Sequence, residues 1–109
     1  MNPQPSEVWL ADLGLAAKTR PVVVVSRFDP DPPQALILHV PLTTQNRQSA
    51  YEVVLPKLSF LNQESVANVQ GLASVPTVRL ERRLGKLPNE AMSRIKRTIA
   101  FALDLETTN

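Results

Sequence analysis

The stretch that decides the fold is "KTRPVVVVSRFDPDPP", Lys18 to Pro33. Valine loses rotamer freedom in a helix and packs well on a pleated surface, so the four-valine run predicts a strand. Because it is apolar at every position, that strand is expected to be buried on both faces. The prolines that follow have no N–H to donate to a sheet; they predict a stiff loop, with Asp29 and Asp31 as turn formers. On the other side, Pro21 biases Arg20 towards extended backbone. A permanently charged guanidinium is thereby predicted to leave the sheet rim from a fixed point.

Working outward, "EVWLADL" (Glu7 to Leu13) alternates and reads as a strand. "ALILHVPL" (Ala35 to Leu42) is a third strand and "YEVVLP" (Tyr51 to Pro56) a fourth. In the third, alternation sets Ile37, His39, Pro41 and Thr43 on one face and Leu36, Leu38, Val40 and Leu42 on the other. The second, wholly apolar set is the expected core face. "SVANVQGLASV" (Ser65 to Val75) reads as a fifth strand bent near Gly71. "TVRLERRL" is open between strand and helical turn. In "LPNEAMSRIKRTIAFALDL", Met92, Ile95, Ile99 and Ala102 recur at steps of three and four, with Arg94, Lys96 and Arg97 mostly opposite; this predicts an amphipathic helix starting at Pro88–Asn89. Five or so strands and one terminal helix, without βαβ alternation, give an antiparallel barrel-like α+β domain.

At 109 residues and 43% apolar content, one domain spanning residues 1–109 is expected, with Met1 to Ser6 flexible. The absence of cysteine excludes disulfides and thiolate chemistry. No apolar run approaches the roughly 20 residues of a membrane span, and "MNPQPSE" lacks the halves of a signal peptide; a cytoplasmic location is expected. A formal charge of +2 is compatible with a polyanionic partner but demands none. His39 is the single histidine, and no phosphate loop, nucleophile elbow or metal-ligand cluster stands in the chain, so neither metal nor cofactor is expected. Arg20 offers two parallel donors suited to phosphate oxygens, although on position alone a surface ion pair with a nearby carboxylate is the favoured reading. His39 reads as a packing or interface residue. Trp9 reads as core or interface, Tyr51 as either packed or stacked on a base, and Arg94 and Arg97 as solvent-facing. Arg79, Arg82, Arg83 and Lys86 form a basic cluster that is either a nucleic-acid rim or a solvated face.

Taken in order, "EVWLADLG", "TRPVVVVS", "HVPLTTQ", "YEVVL", "SVANVQ" and "LGKLPNEAMSRIKRTIAFAL" resemble the MazF/PemK family of toxin endoribonucleases, over nearly the whole chain. The resemblance implies a small SH3-like antiparallel β-barrel with a C-terminal α-helix, a homodimer, and a cleft for single-stranded RNA at its interface. It also implies an antitoxin whose acidic, flexible tail occupies that cleft, operator DNA being contacted only through the antitoxin complex. The implied chemistry is metal-independent, sequence-selective cleavage of RNA (mRNA interferase activity) by attack of the 2′-OH on the adjacent phosphate. Matched motif to motif, the catalytic positions fall on Arg20 and Thr43. Thr44, Gln45, Asn46 and Arg47 in the following loop, with Gln70, are the implied substrate contacts.

Two departures bear on activity. "LGLAAK" is several residues shorter than the first loop of many members and lacks the acidic residue some use there. After Gln70, where relatives often carry a basic or polar residue, this chain has "GLAS". The alternatives left open are a weakened or inactive toxin-like module that acts through antitoxin binding and autoregulation, and a gyrase inhibitor.

Overall fold

The computed structural model describes residues 2–14 and 19–106. Seven strands and one helix follow in order: β1 (Glu7–Asp12), β2 (Thr19–Val24), β3 (Leu36–Thr43), β4 (Glu52–Val54), β5 (Val66–Asn68), β6 (Ala73–Pro76), β7 (Leu80–Lys86) and α1 (Asn89–Ala102). All strand pairs are antiparallel, in the order β4-β5-β3-β2-β1-β7, with β6 added on β3. The path runs from one end to the other without closing, so the expected barrel is an open-ended sheet.

The valine run does what its composition predicts. Val22, Val23 and Val24 are fully buried, and they divide between two cores. Val23 joins Val8, Val40 and Leu42 beneath α1, while Val22 and Val24 join Ala11, Ile37 and Val75 on the opposite face. Burying each such side chain contributes about 1.5–3 kcal/mol, which makes β2 the spine of the domain. The proline segment after it is a loop, turned where the Asp31 N–H donates to Asp29 Oδ1 at 2.9 Å. Ahead of β1, where flexibility was expected, Ser6 N–H donates to the Val24 carbonyl and the Ser6 carbonyl accepts from Leu87 N–H, both at 2.9 Å.

Three expectations need correction and one open reading is resolved. In β3, Ile37 and His39 are buried whereas Leu36 and Leu38 are exposed, the reverse of the expected face for this half of the strand. The reason is that β3 changes partners. Its first half pairs with β6 and buries its side chains against Val75, while only Val40 and Leu42 in the second half lie under the helix core. The predicted fifth strand is two, β5 and β6, because a 3-10 turn at Val69–Gly71, capped by Asn68 Oδ1, breaks it at the predicted bend. "TVRLERRL" is both alternatives in sequence, a 3-10 turn at Thr77–Arg79 and then β7. Arg94 is not free in solvent: its guanidinium donates to the Val54 carbonyl at 2.6 Å and pairs with Glu90 at 3.6 Å, tying α1 to β4.

The helix otherwise follows its pattern. Ala91, Met92 and Ile95 are buried, Ile99 and Ala102 pack on the same core, and Glu90 sits in the first turn, where a carboxylate suits the positive end of the helix dipole. No helix among the described residues is long and apolar enough to cross a membrane.

Candidate catalytic site

Arg20 is the second residue of β2, exposed, and stands across from Ala11 of β1. Cross-strand partners share a face, so Arg20 projects on the side of Ala11, Val22 and Val24. It lines a cavity of about 470 Å³ bounded by His39 and Pro41 of β3, Gly71, and β6, with Asp12 and Arg79 also on its lining. Gly71 closes one wall by direct contact with a ring, since a Cβ there would lie 2.5 Å from Pro41 Cγ.

Thr43 is the last residue of β3 and half-buried. The β2–β3 pairing ends at Val22 with Pro41; Arg20 and Thr43 each stand two residues beyond that pair, on its face by strand alternation. The Thr43 hydroxyl accepts from Gln45 N–H at 3.1 Å, which leaves its own proton available to a further acceptor. Thr44 is turned elsewhere, onto a second cavity of about 410 Å³ that it shares with Pro21, Asn62, Gln63 and Arg82.

The loop after Thr44 is organised by Glu52. Its carboxylate accepts from Ser49 N–H at 2.9 Å and Arg47 N–H at 3.2 Å, and lies 3.9 Å from the Arg47 guanidinium. The Ser49 bond leads the causes that hold the Glu52 carboxyl below its ordinary range. Arg47 also donates to Gln45 Oε1 at 3.0 Å, and Asn46 Oδ1 accepts from Gln48 N–H at 2.8 Å. Gln45, Asn46 and Arg47 are thus all exposed on a loop braced by its own polar groups. Gln70 is exposed on the turn beside the first cavity, next to Gly71. Of the predicted positions, then, Arg20 lines the first cavity and Thr44 the second, while Thr43, Gln45, Asn46, Arg47 and Gln70 line neither.

His39 is 4% exposed and lies on the cavity's inner side. Among the described residues its Nδ1 has no partner. Burial pushes the imidazole below its ordinary value, against an opposing contribution from the Ala73 backbone, so the ring is neutral at pH 7. Tyr51 packs on Phe101, with ring centroids 5.4 Å apart. Trp9 packs on the second core and donates its indole N–H to Glu7 Oε1 at 3.1 Å. Two members of the basic cluster have carboxylate partners: Arg83 binds Glu7 at 2.9 Å, and Arg79 approaches Asp12 at 3.8 Å. The residue that sequence reasoning missed is Asp12. Its one legible signal was the "Asp-Leu-Gly" turn at the end of β1, which the structure forms with Gly14 N–H donating to Asp12 Oδ1 at 2.9 Å and Gly14 at φ 73°. No group of three or more His, Cys, Asp or Glu side chains stands at metal-binding distance among the described residues.

An open antiparallel sheet of seven strands with one terminal helix makes this a small α+β protein. Residues 4–103 match the model of the PemK-like, MazF-like toxin of type II toxin–antitoxin systems, and the chain belongs to that family. It is 35% identical over 103 residues to the probable endoribonuclease MazF5 of Mycobacterium tuberculosis, covering 94% of each chain. To endoribonuclease MazF3 of the same species it is 30% identical over 82% of this chain and 86% of that one. Among solved structures, the Mycobacterium tuberculosis toxin MazF-mt6 is similar at a TM-score of 0.81 and 29% identity, covering 93% of this chain and 99% of that one. A mycobacterial endoribonuclease in complex with its cognate antitoxin shares the fold at a TM-score of 0.84 and 24% identity, covering 97% and 99%.

Proposed function

We propose that this chain is the toxin of a type II toxin–antitoxin pair and acts as a homodimeric endoribonuclease on single-stranded RNA, without a metal. The ribose 2′-oxygen bonds to the adjacent phosphorus, the P–O5′ bond breaks, and the 2′-OH proton is balanced by one delivered to O5′. The products are a 2′,3′-cyclic phosphate and a 5′-OH end. The observation that supports this reading is Arg20 exposed near the start of β2 and lining the cavity of about 470 Å³, with Thr43 ending the neighbouring strand β3, which pairs with β2 as far as Val22 and Pro41. Charge grows on the non-bridging oxygens as the phosphorus becomes five-coordinate, and fixed donors stabilise it. Arg20 supplies a fork of N–H groups and Thr43 an O–H whose oxygen is already held by Gln45. A guanidinium has five N–H donors and no acceptor, so Arg20 serves as a charge stabiliser rather than as the base. The relatives named as endoribonucleases support the activity, and the relative solved with its antitoxin supports such a partner here. The antitoxin's acidic tail complements Arg20 and its neighbouring cations, and operator DNA is reached only through that complex.

The test is to incubate a long unstructured RNA with the protein and EDTA and to sequence the fragment ends. Cleavage at defined sites is expected, and Arg20→Ala should lower it at least about 100-fold, the scale of losing one oxyanion donor, with an unchanged circular dichroism spectrum. Undiminished cleavage by Arg20→Ala, or intact RNA alongside gyrase inhibition or bare antitoxin binding, overturns the reading.

A further inference from the structure

We propose that the cavity beside Arg20 is a guanine-selective subsite, in which Asp12 and Arg79 read the edge of a base attached to the phosphate at Arg20. The inference rests on the nuclease reading above for the nature of the ligand. At about 470 Å³ the cavity is within the range of roughly 300–1,000 Å³ usual for small-ligand sites. Its walls are largely apolar, with Pro41, Gly71 and Val75 among them, and its floor holds the buried, neutral His39. Such a slot accepts the flat faces of a base pulled out of the stack, which is how single-stranded RNA is read. Because Arg20 shares the lining, a base in the slot keeps its phosphate within reach of the guanidinium.

The charges at the rim decide which base. Arg79 Nη1 stands 3.8 Å from Asp12 Oδ1, and both side chains are about half exposed. At that separation the pair is not hydrogen-bonded, and at that exposure it is worth little by itself, so both groups retain bonding capacity towards a ligand. Among the described residues, the contacts of the carboxylate, from Gly14 and Arg79, both fall on Oδ1. A carboxylate takes two parallel N–H donors, and guanine alone among the four bases offers them, from N1 and N2. A guanidinium takes two acceptors, which guanine offers as O6 and N7. Adenine and cytosine give the carboxylate one amino donor, and uracil gives it one ring N–H.

Fluorescence anisotropy with short 2′-fluoro oligonucleotides, which lack the nucleophile and stay uncut, tests this directly. One position is varied through guanine, inosine, adenine, cytosine and uracil. The guanine ligand should bind roughly tenfold tighter than the adenine one, in line with a single bidentate base contact, with inosine between them because it lacks the 2-amino group. Asp12→Asn, whose amide oxygen still accepts from Gly14, and Arg79→Gln should each flatten the series, while Arg97→Gln on the exposed face of α1 should leave it intact. Equal binding of all five ligands by the wild type, or a guanine preference that survives both rim substitutions, overturns the subsite. If the preference holds but native RNA stays uncut, the nuclease reading fails and the subsite stands; if no RNA binds, both fail.

Discussion

Gly71 and Pro41 are in contact without a side chain between them: a Cβ on Gly71 would come within 2.5 Å of Pro41 Cγ and 2.9 Å of Cδ. A proline ring in a paired strand has little room to yield, so Gly71→Ala must push the 3-10 turn away from β3. The expected loss is about 1–3 kcal/mol, the usual cost of overpacking, measured by urea denaturation. Cleavage should fall further than stability, because the displaced turn carries one wall of the Arg20 cavity and the neighbouring Gln70.

Thr43 separates hydroxyl chemistry from shape. Thr43→Val keeps the volume but removes both the acceptor for Gln45 N–H and the donor for phosphate. Single-turnover cleavage should drop about 100-fold or more, whereas Thr43→Ser should restore most of it. Equal rates for the valine and serine variants would show that the hydroxyl plays no part.

Acid should weaken the fold through His39. Burial holds the folded-state pKa below the ordinary 6.5, so the unfolded chain takes up the proton first as pH falls. Stability is therefore fully present above pH 6.5 and declines below it, until the folded state is protonated too. Urea midpoints between pH 7.5 and pH 5 should fall for the wild type and fall less for His39→Leu. A parallel decline in both would assign the acid sensitivity to other groups.

Glu52 organises the loop that follows Thr44, accepting from Ser49 and Arg47 N–H groups. Glu52→Ala should speed amide exchange at both positions by about tenfold or more, while the core amides of Val23 and Val40 keep their protection. If Arg47 acts at the substrate, KM for RNA should rise with little change in kcat.

Where local chemistry alone decided the outcome, the sequence was readable. The valine run could only be a doubly buried strand, and Asp29 among prolines could only turn. The Pro88 start and three-four spacing of α1 fixed its inner face. The failures share a different cause, dependence on partners distant in the chain. Nothing local to "ALILHV" reveals that β6 arrives on its first half and inverts which side is covered. Likewise the Arg94 contact needs the Val54 carbonyl, 40 residues away. Arg20 and Thr43 are proposed from the ordered motifs rather than from their own surroundings. Asp12 stayed hidden because a strand-ending aspartate looks like a turn residue until Arg79 is folded against it.

β3 is shared by three neighbours, β2, β5 and β6, and carries His39, Pro41 and Thr43 on one side with Val40 and Leu42 on the other. A slip of one residue along it would exchange these sets wholesale, turning the hydroxyl towards the helix core and Val40 towards the cavity side. On the proposed reading, then, the same alignment that builds the core also presents the hydroxyl, so cleavage and completed folding are expected to arrive together.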